Sequence, residues 1–269
     1  MYRGITKDLQ FRQLGMQVTI LGSGTSQGVP VIACNCKVCS SIDPKDQRTR
    51  CSIYVETDKT KLVVDTGPDF REQMLRERIQ DLDAVLFTHE HKDHVAGLDD
   101  IRAFNFKSGG KEMEVYATPR VQEALQREFS YVFATKKYPG VPKIHLNTLY
   151  DEPFHLNGEK VTSIDALHYK LPVKGFKIKS FAYLTDANFI EEDEKEKLKD
   201  LDVLVLNALR KKKHISHFNL EEALALIAEL KPKQTYLTHI SHLMGKHSEV
   251  EQELPSNVAL AYDGLQINL

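Results

Sequence analysis

Three imidazoles and a carboxylate crowd into Thr88-His89-Glu90-His91-Lys92-Asp93-His94. Alternate side chains of an extended segment share a side, so His89 and His91 are placed to bind one cation. Asp93 and His94, where the chain turns into a helix, face a second. This spacing predicts a dinuclear site. The alternative is a polar loop that happens to be rich in histidine, and 11 histidines in 269 residues give it little support.

Four further candidates lie elsewhere in the chain. Asp65, His168, Asp186 and His239, like His89, follow segments that read as strands. If those strands run alike, the side chains gather along one rim of a sheet. A dinuclear site needs nitrogen and carboxylate ligands from several elements, with a bridging group that holds the cations about 3.5 to 4 Å apart. His89, His91 and His168 suit the first cation, Asp93, His94 and His239 the second, and Asp186 the bridge. Asp65 is better placed as an acceptor that orients a ligating imidazole. Taken singly, His168, Asp186 and His239 read equally well as satisfied polar residues at strand ends, and the histidine cluster decides between the readings.

Three of the four cysteines fall in Cys34-Asn35-Cys36-Lys37-Val38-Cys39, too close for comfortable pairwise disulfides and suited to a metal in a reducing compartment. Cys51 is left over as a buried free thiol. The glycine turn Gly22 to Pro30 is no dinucleotide fingerprint, because Gln27 displaces its third glycine and cysteines follow where a helix should open. Its glycines instead permit a tight loop under the metal site.

The elements that must carry these residues have their own signals. Gln17 to Leu21, Ser52 to Glu56 and Lys61 to Val64 read as strands, and Asp69 with Glu72 as a capping box for a helix reaching about Arg78. Val95 to Phe106 continues as helix, and Thr118-Pro119 starts another. Asn157-Gly158 predicts a hairpin between Glu152 to Leu156 and Glu159 to Leu167. Ser180 to Thr185, Asp202 to Asn207 and Gln234 to Thr238 read as strands, Ile190 to Leu201 as a charged helix, and Asn219-x-x-Glu222 as the cap of a helix over Leu220 to Leu230. Periodicity fails from Val132 to Pro142, a candidate lid. No repeat, low-complexity segment or Pro/Gly-rich linker divides the chain, which predicts one domain over 16–269 behind an N-terminal extension, 1–15.

A net charge of -2, with 41% apolar and 28% charged residues, gives no general pull toward nucleic acid. No apolar run reaches the roughly 20 residues that span a bilayer, and the first fifteen are too polar for a signal peptide. A cytoplasmic location is expected.

From Met16 to Leu269 the order Asp65, H-x-H-x-D-H, His168, Asp186, His239 resembles the metallo-β-lactamase superfamily. Within it the chain is similar to the PhnP-type phosphodiesterases, through Leu21 to Pro30, the C-x-C-x-x-C cysteines, Gly97-Leu98-Asp99-Asp100-Ile101-Arg102 and Thr238-His239-Ile240-Ser241-His242. The resemblance implies an α/β fold, the αββα metallo-β-lactamase-fold sandwich. It implies two divalent ions, Mn2+ or Zn2+, with hydroxide held between them as the nucleophile. A small cyclic phosphodiester such as phosphoribosyl 1,2-cyclic phosphate is the implied substrate, and a homodimer the implied assembly. It further implies a structural Zn2+ on Cys34, Cys36, Cys39 and His242, against the alternatives of unligated thiols or Cys51 as fourth ligand. His217 matches the family's general acid, with His214 a weaker candidate. Asp93 is counted with the catalytic residues as well as the ligands. Arg210 to Lys213 could attract an anionic substrate, and Arg102 fits an ion pair with Asp99 or Asp100. The competing readings are a tRNase Z-like tRNA 3′-end endonuclease, for which no long basic arm is present, and a non-catalytic PqqB-like binding protein, which a complete ligand set disfavours.

Overall fold

In the computed structural model, residues 15–269 are described, so the N-terminal extension lies, Gly15 apart, outside the described residues. The first half of the chain contributes β1 (Met16–Gly22), β2 (Ser52–Thr57), β3 (Lys61–Val64), α1 (Phe70–Arg76), β4 (Ala84–Leu86), α2 (Lys92–Val95) and α3 (Arg102–Lys107). It continues through β5 (Met113–Ala117), α4 (Pro119–Glu128), α5 (Ser130–Phe133) and β6 (Ile144–Thr148). The second half adds β7 (Phe154–Leu156), β8 (Glu159–His168), β9 (Leu171–Ile178), β10 (Phe181–Leu184), α6 (Glu192–Lys197) and β11 (Val203–Asn207). It closes with α7 (Leu220–Leu230), β12 (Gln234–Thr238), α8 (His247–Val250), β13 (Val258–Leu260) and β14 (Gln266–Asn268).

The strands form two seven-stranded mixed sheets, ordered β14-β1-β2-β3-β4-β5-β6 and β13-β12-β11-β10-β9-β8-β7. Period-two alternation explains why they stack. In β2 and β4, Ile53, Val55, Ala84 and Leu86 face the other sheet and meet Phe181, Tyr183, Val203 and Val205. The intervening Tyr54, Val63 and Val85 face outward onto Phe70, Met74 and Leu125 of the helices. On the second sheet Ala182, Leu184, Leu204 and Leu206 face outward onto Leu220, Ala223 and Ile227 of α7. Apolar side chains on both faces give central strands the unbroken hydrophobic runs seen in the sequence. The result is a single αββα sandwich, as the resemblance implied.

Several expectations change in the folded chain. Asp69 makes no capping hydrogen bond. Its carboxylate instead accepts from the Arg50 backbone N–H at 2.8 Å and pairs with the Arg50 guanidinium at 3.1 Å. The helix read through Phe106 is broken, with α2 ending at Val95 and a 3-10 turn over Leu98–Ile101 before α3. Gly97 lets the broken segment pack against the turn after β3: a Cβ there would stand 2.2 Å from the Gly67 carbonyl oxygen. The capping box at Asn219 and Glu222 is present in full.

A buried charge ties the glycine turn to the C-terminal segment. Arg48 Nη1 donates to Ser23 Oγ at 2.8 Å, while Nη2 donates to His247 Nδ1 at 3.1 Å. Burial, then the neighbouring Arg48 and Lys45, pushes His247 down to about 4. A depressed histidine contributes stability that is complete above its unfolded value near 6.5 and is lost as pH falls toward the folded value. Wild type is therefore expected to lose on the order of 2 kcal/mol more than His247→Asn between about pH 7.5 and 4.5. Urea midpoints of both proteins at the two pH values would measure this, and equal losses would remove His247 as the cause.

Candidate active site

Asp65 and His239 directly follow β3 and β12, and Asp186 lies two residues past β10. All three adopt left-handed backbone, with φ of 64°, 54° and 59°. Such conformations favour glycine and cost of order 1 kcal/mol in other residues, so these side chains are retained at positions where the backbone would prefer none. The predicted rim is in fact two rims. Asp65 and His89 come from the first sheet, and His168, Asp186 and His239 from the second, so the residues meet where the edges of the stacked sheets converge.

Asp65 organises the histidine segment. Its carboxylate accepts from Thr88 N at 2.9 Å, Thr88 Oγ1 at 2.8 Å and His94 Nδ1 at 2.7 Å. This fixes the proton on His94 Nδ1 and turns Nε2 inward. Gly67 lets the Asp65 turn press against this segment, since a Cβ there would lie 2.2 Å from the Asp93 carbonyl oxygen.

Inside this frame the donors fall into two overlapping groups. The rings of His89, His91 and His168 approach one another with centroids 4.6 to 5.8 Å apart. His168 Nδ1 donates to the Ser216 carbonyl at 2.7 Å, which leaves its Nε2 as the free lone pair. In the second group His94 Nε2 lies 3.2 Å from both Asp93 Oδ2 and Asp186 Oδ2, and His239 Nδ1 lies 3.1 Å from Asp186 Oδ2. Asp186 belongs to both, because donor atoms of His168, Asp186 and His217 also lie within 4.8 Å of one another. His217 Nδ1 is 3.8 Å from Asp186 Oδ1, and its ring lies 4.5 Å from that of His168. His214 stands one step outward, its ring 5.1 Å from His217.

The electrostatics are those of a cation site. Burial opposes charge on His94, but the carboxylates of Asp186, Asp65 and Asp93 outweigh it and lift the imidazole well above its ordinary range. Burial likewise opposes ionisation of Asp186, and His239 and His94 still hold it well below the usual carboxylate range. Burial, reinforced by His94, drives His89 far down, so it stays a neutral donor. His89 Nε2, His94 Nε2 and His217 Nδ1 are buried without a hydrogen-bond partner. An orphaned buried group of this kind costs about 1 to 3 kcal/mol, and divalent cations would satisfy the nitrogens of His89 and His94. The donor set fits the two-cation expectation in atom type and placement.

The sulfur cluster has a matching geometry. His242 Nδ1 lies 3.3, 3.4 and 3.4 Å from the sulfurs of Cys34, Cys36 and Cys39. Tetrahedral bonds of roughly 2.3 Å to sulfur and 2.0 Å to nitrogen put neighbouring ligands about 3.5 Å apart, so these four fit zinc. The Cys39 backbone N–H directed at Cys36 holds that thiol down to about 6, which favours the thiolate form. Cys51 does not belong to this group. Its sulfur lies 3.2 Å from His239 Nδ1, inside the active site, a placement the sequence reading missed along with Thr25, whose Oγ1 is 3.1 Å from His239 Nε2.

Residues 60–240 match the β-lactamase superfamily domain. A solved diphosphatase of the PhnP family is 40% identical, with a TM-score of 0.89 over 94% of this chain and 97% of that one. The chain belongs to the β-lactamase superfamily. It is a PhnP-like member. Zinc-bound PqqB from Methylobacterium extorquens, 23% identical with a TM-score of 0.77 over 94% and 100% of the two chains, has the same fold. A relative from Porphyromonas gingivalis W83 named octanoyltransferase is 41% identical over 254 residues, 93% of this chain. This chain spans only 51% of that protein, so the name covers a further half that the match does not reach.

Much of the nearby basic run is already engaged. Arg210 donates to the carbonyls of Lys212 and Lys213, Lys211 pairs with Glu253 at 2.6 Å, and Lys213 approaches Glu222 at 3.7 Å. Arg102 pairs with Asp99 at 3.3 Å. Among the described residues no helix is long and apolar enough to cross a membrane.

Proposed function

We propose that the chain is a dinuclear metal-dependent phosphodiesterase that opens a small cyclic phosphodiester, phosphoribosyl 1,2-cyclic phosphate or a similar ring, to a phosphomonoester. The observation that carries this reading is Asp186. One of its oxygens faces His94 and His239, the other is turned toward His217, and His168 closes the second group. His89, His91 and His168 would hold one cation, Asp93, His94 and His239 the other, with Asp186 shared between them. When bound, the pair supplies Lewis acidity toward water and phosphoryl oxygens.

The protein's own groups do the rest. Asp65 and the Ser216 carbonyl hold Nδ1 of His94 and of His168, so each ring is fixed with its Nε2 turned to the site. His217 donates a proton to the departing alkoxide. Burial, reinforced by His239, drives this imidazole down to about 2. An anionic phosphate arriving beside it favours the protonated form that donation requires.

A second reading concerns the bond cleaved. The 40% identical relative is a diphosphatase, and the same residues could serve a diphosphate, whose phosphate leaving group needs less help from an acid than an alkoxide does. A homodimer and a small-molecule substrate belong to this proposal, with sedimentation velocity as the test of the former.

Metal-loaded protein would be assayed on bis(p-nitrophenyl) phosphate, phosphoribosyl 1,2-cyclic phosphate, 2′,3′-cyclic nucleotides, a nucleoside diphosphate and a precursor tRNA. His217→Ala is expected to slow ring opening by about 100-fold or more. The nitrophenyl ester, whose leaving group departs without a proton, should lose much less. Equal losses on both would remove His217 as the acid. Turnover of the diphosphate alone would select the second reading, and cleavage of tRNA alone would move the chain to the processing enzymes. No turnover at full metal occupancy would favour a binding role.

A further inference from the structure

Cys51 occupies a position that the two-cation reading leaves unused. The residue is 1% exposed and unpaired with any other cysteine. Its sulfur stands 3.2 Å from His239 Nδ1 and 3.3 Å from Thr185 Oγ1. Ligand atoms of Cys51, His94, Asp186 and His239 all lie within 4.8 Å of one another. A second observation points into the same space. His94 Nε2, fully buried and without a hydrogen-bond partner, is 3.2 Å from Asp186 Oδ2. His239 meanwhile has its Nε2 beside Thr25 Oγ1, so its Nδ1 is the nitrogen that shares this space with the sulfur and the carboxylate.

These separations have the scale of a coordination shell. Ligands of one cation at bonds of roughly 2.0 to 2.3 Å stand about 3 to 3.5 Å apart, and the measured Cys51–His239, His239–Asp186 and Asp186–His94 approaches are 3.2, 3.1 and 3.2 Å, in a shell that Asp93 completes. We infer that Cys51 is a ligand of the second cation, making that position a sulfur, nitrogen and oxygen site that takes zinc in preference to manganese. The inference rests on the two-cation reading and changes its chemistry at one position. The S–H proton is released to solvent as the sulfur–cation bond forms, so binding there becomes more pH-dependent. Soft thiolate favours zinc, whereas the first position, with three imidazoles and the shared carboxylate, lacks that bias.

Cadmium-113 NMR of the cadmium-loaded full chain tests this. The wild-type spectrum should show a strongly downfield line from the Cys34, Cys36, Cys39 and His242 site, an upfield line from the nitrogen and oxygen position, and a line between them from the site with one sulfur. In Cys51→Ser the middle line should move into the nitrogen and oxygen range while the other two stay. In competitive loading, the zinc-over-manganese preference should fall about tenfold or more. Two wild-type active-site lines both in the nitrogen and oxygen range would overturn the Cys51 assignment without recourse to any variant. An unmoved middle line in Cys51→Ser, with the sulfur-site line reporting an intact fold, would overturn it as well. No active-site cadmium at all, with the sulfur site filled, would overturn the two-cation reading and this inference together.

Discussion

Asp186→Ala is expected to strip the active site of its cations and to lower hydrolysis by about a thousandfold or more, while the chain stays folded and the sulfur site stays filled. Asp186 is 2% exposed, and its Oδ2 lies within 3.2 Å of both His94 Nε2 and His239 Nδ1. Without it, Asp93 is the one carboxylate left beside His94 Nε2 to attract a cation, and the group shared with His168 and His217 loses its carboxylate. Both positions weaken because one residue serves both. Asp186→Asn separates shape from charge: it keeps the volume and the hydrogen bond from Thr185 Oγ1, and should lose the cations almost as completely. Elemental analysis after desalting, with thermal unfolding as a fold control, gives the answer. Full metal retention with activity within tenfold of wild type would exclude Asp186 as the bridge.

The residues that were legible in sequence share a physical property: each announces itself locally. His89, His91, Asp93 and His94 are neighbours, and α7 begins at an Asn219/Glu222 box whose two hydrogen bonds span three residues. The strands β3 and β12 keep their predicted limits, β3 because its apolar run ends abruptly at Asp65. What escaped depends on distant partners. β9 contains Pro172 and Gly175, which weaken a strand signal, yet its pairing with the long β8 runs from Val161–Ile178 to His168–Leu171. Asp69 carries a cap signature, but Arg50 from another loop takes its carboxylate. Cys51 is a buried free thiol, as expected, but its place beside His239 was legible in the sequence as well. β2 and β3 pair antiparallel with Ile53 opposite Val64, so the residue before β2 must lie near Asp65, after β3. Pairing the strands read at Ser52 to Glu56 and Lys61 to Val64 places that thiol beside Asp65.

Cys36→Ser should show that the sulfur cluster is a mechanical part of the active site as well as of the fold. The loop after β1 and the loop after β12 meet through backbone hydrogen bonds from Thr25 N to the Ile240 carbonyl at 3.1 Å and from Ile240 N to the Ser23 carbonyl at 2.9 Å. Beyond these, Cys34, Cys36 and Cys39 close on His242, three residues after His239. Opening the cluster frees the far end of the turn that aims His239, and it leaves Thr25 less firmly set against His239 Nε2. The variant is expected to lose the sulfur-site metal, about 3 kcal/mol of stability and roughly 6 to 12 °C in Tm. Hydrolysis should fall by about tenfold, because a loosened His239 weakens the second cation as loss of an orienting contact does. Excess active-site metal should restore part of that rate without restoring Tm, since the two losses arise at different sites. Scanning fluorimetry with metal analysis would decide it. Unchanged Tm and metal content would mean that the cluster holds no cation, and a lowered Tm with full activity would mean that the backbone contacts alone position His239.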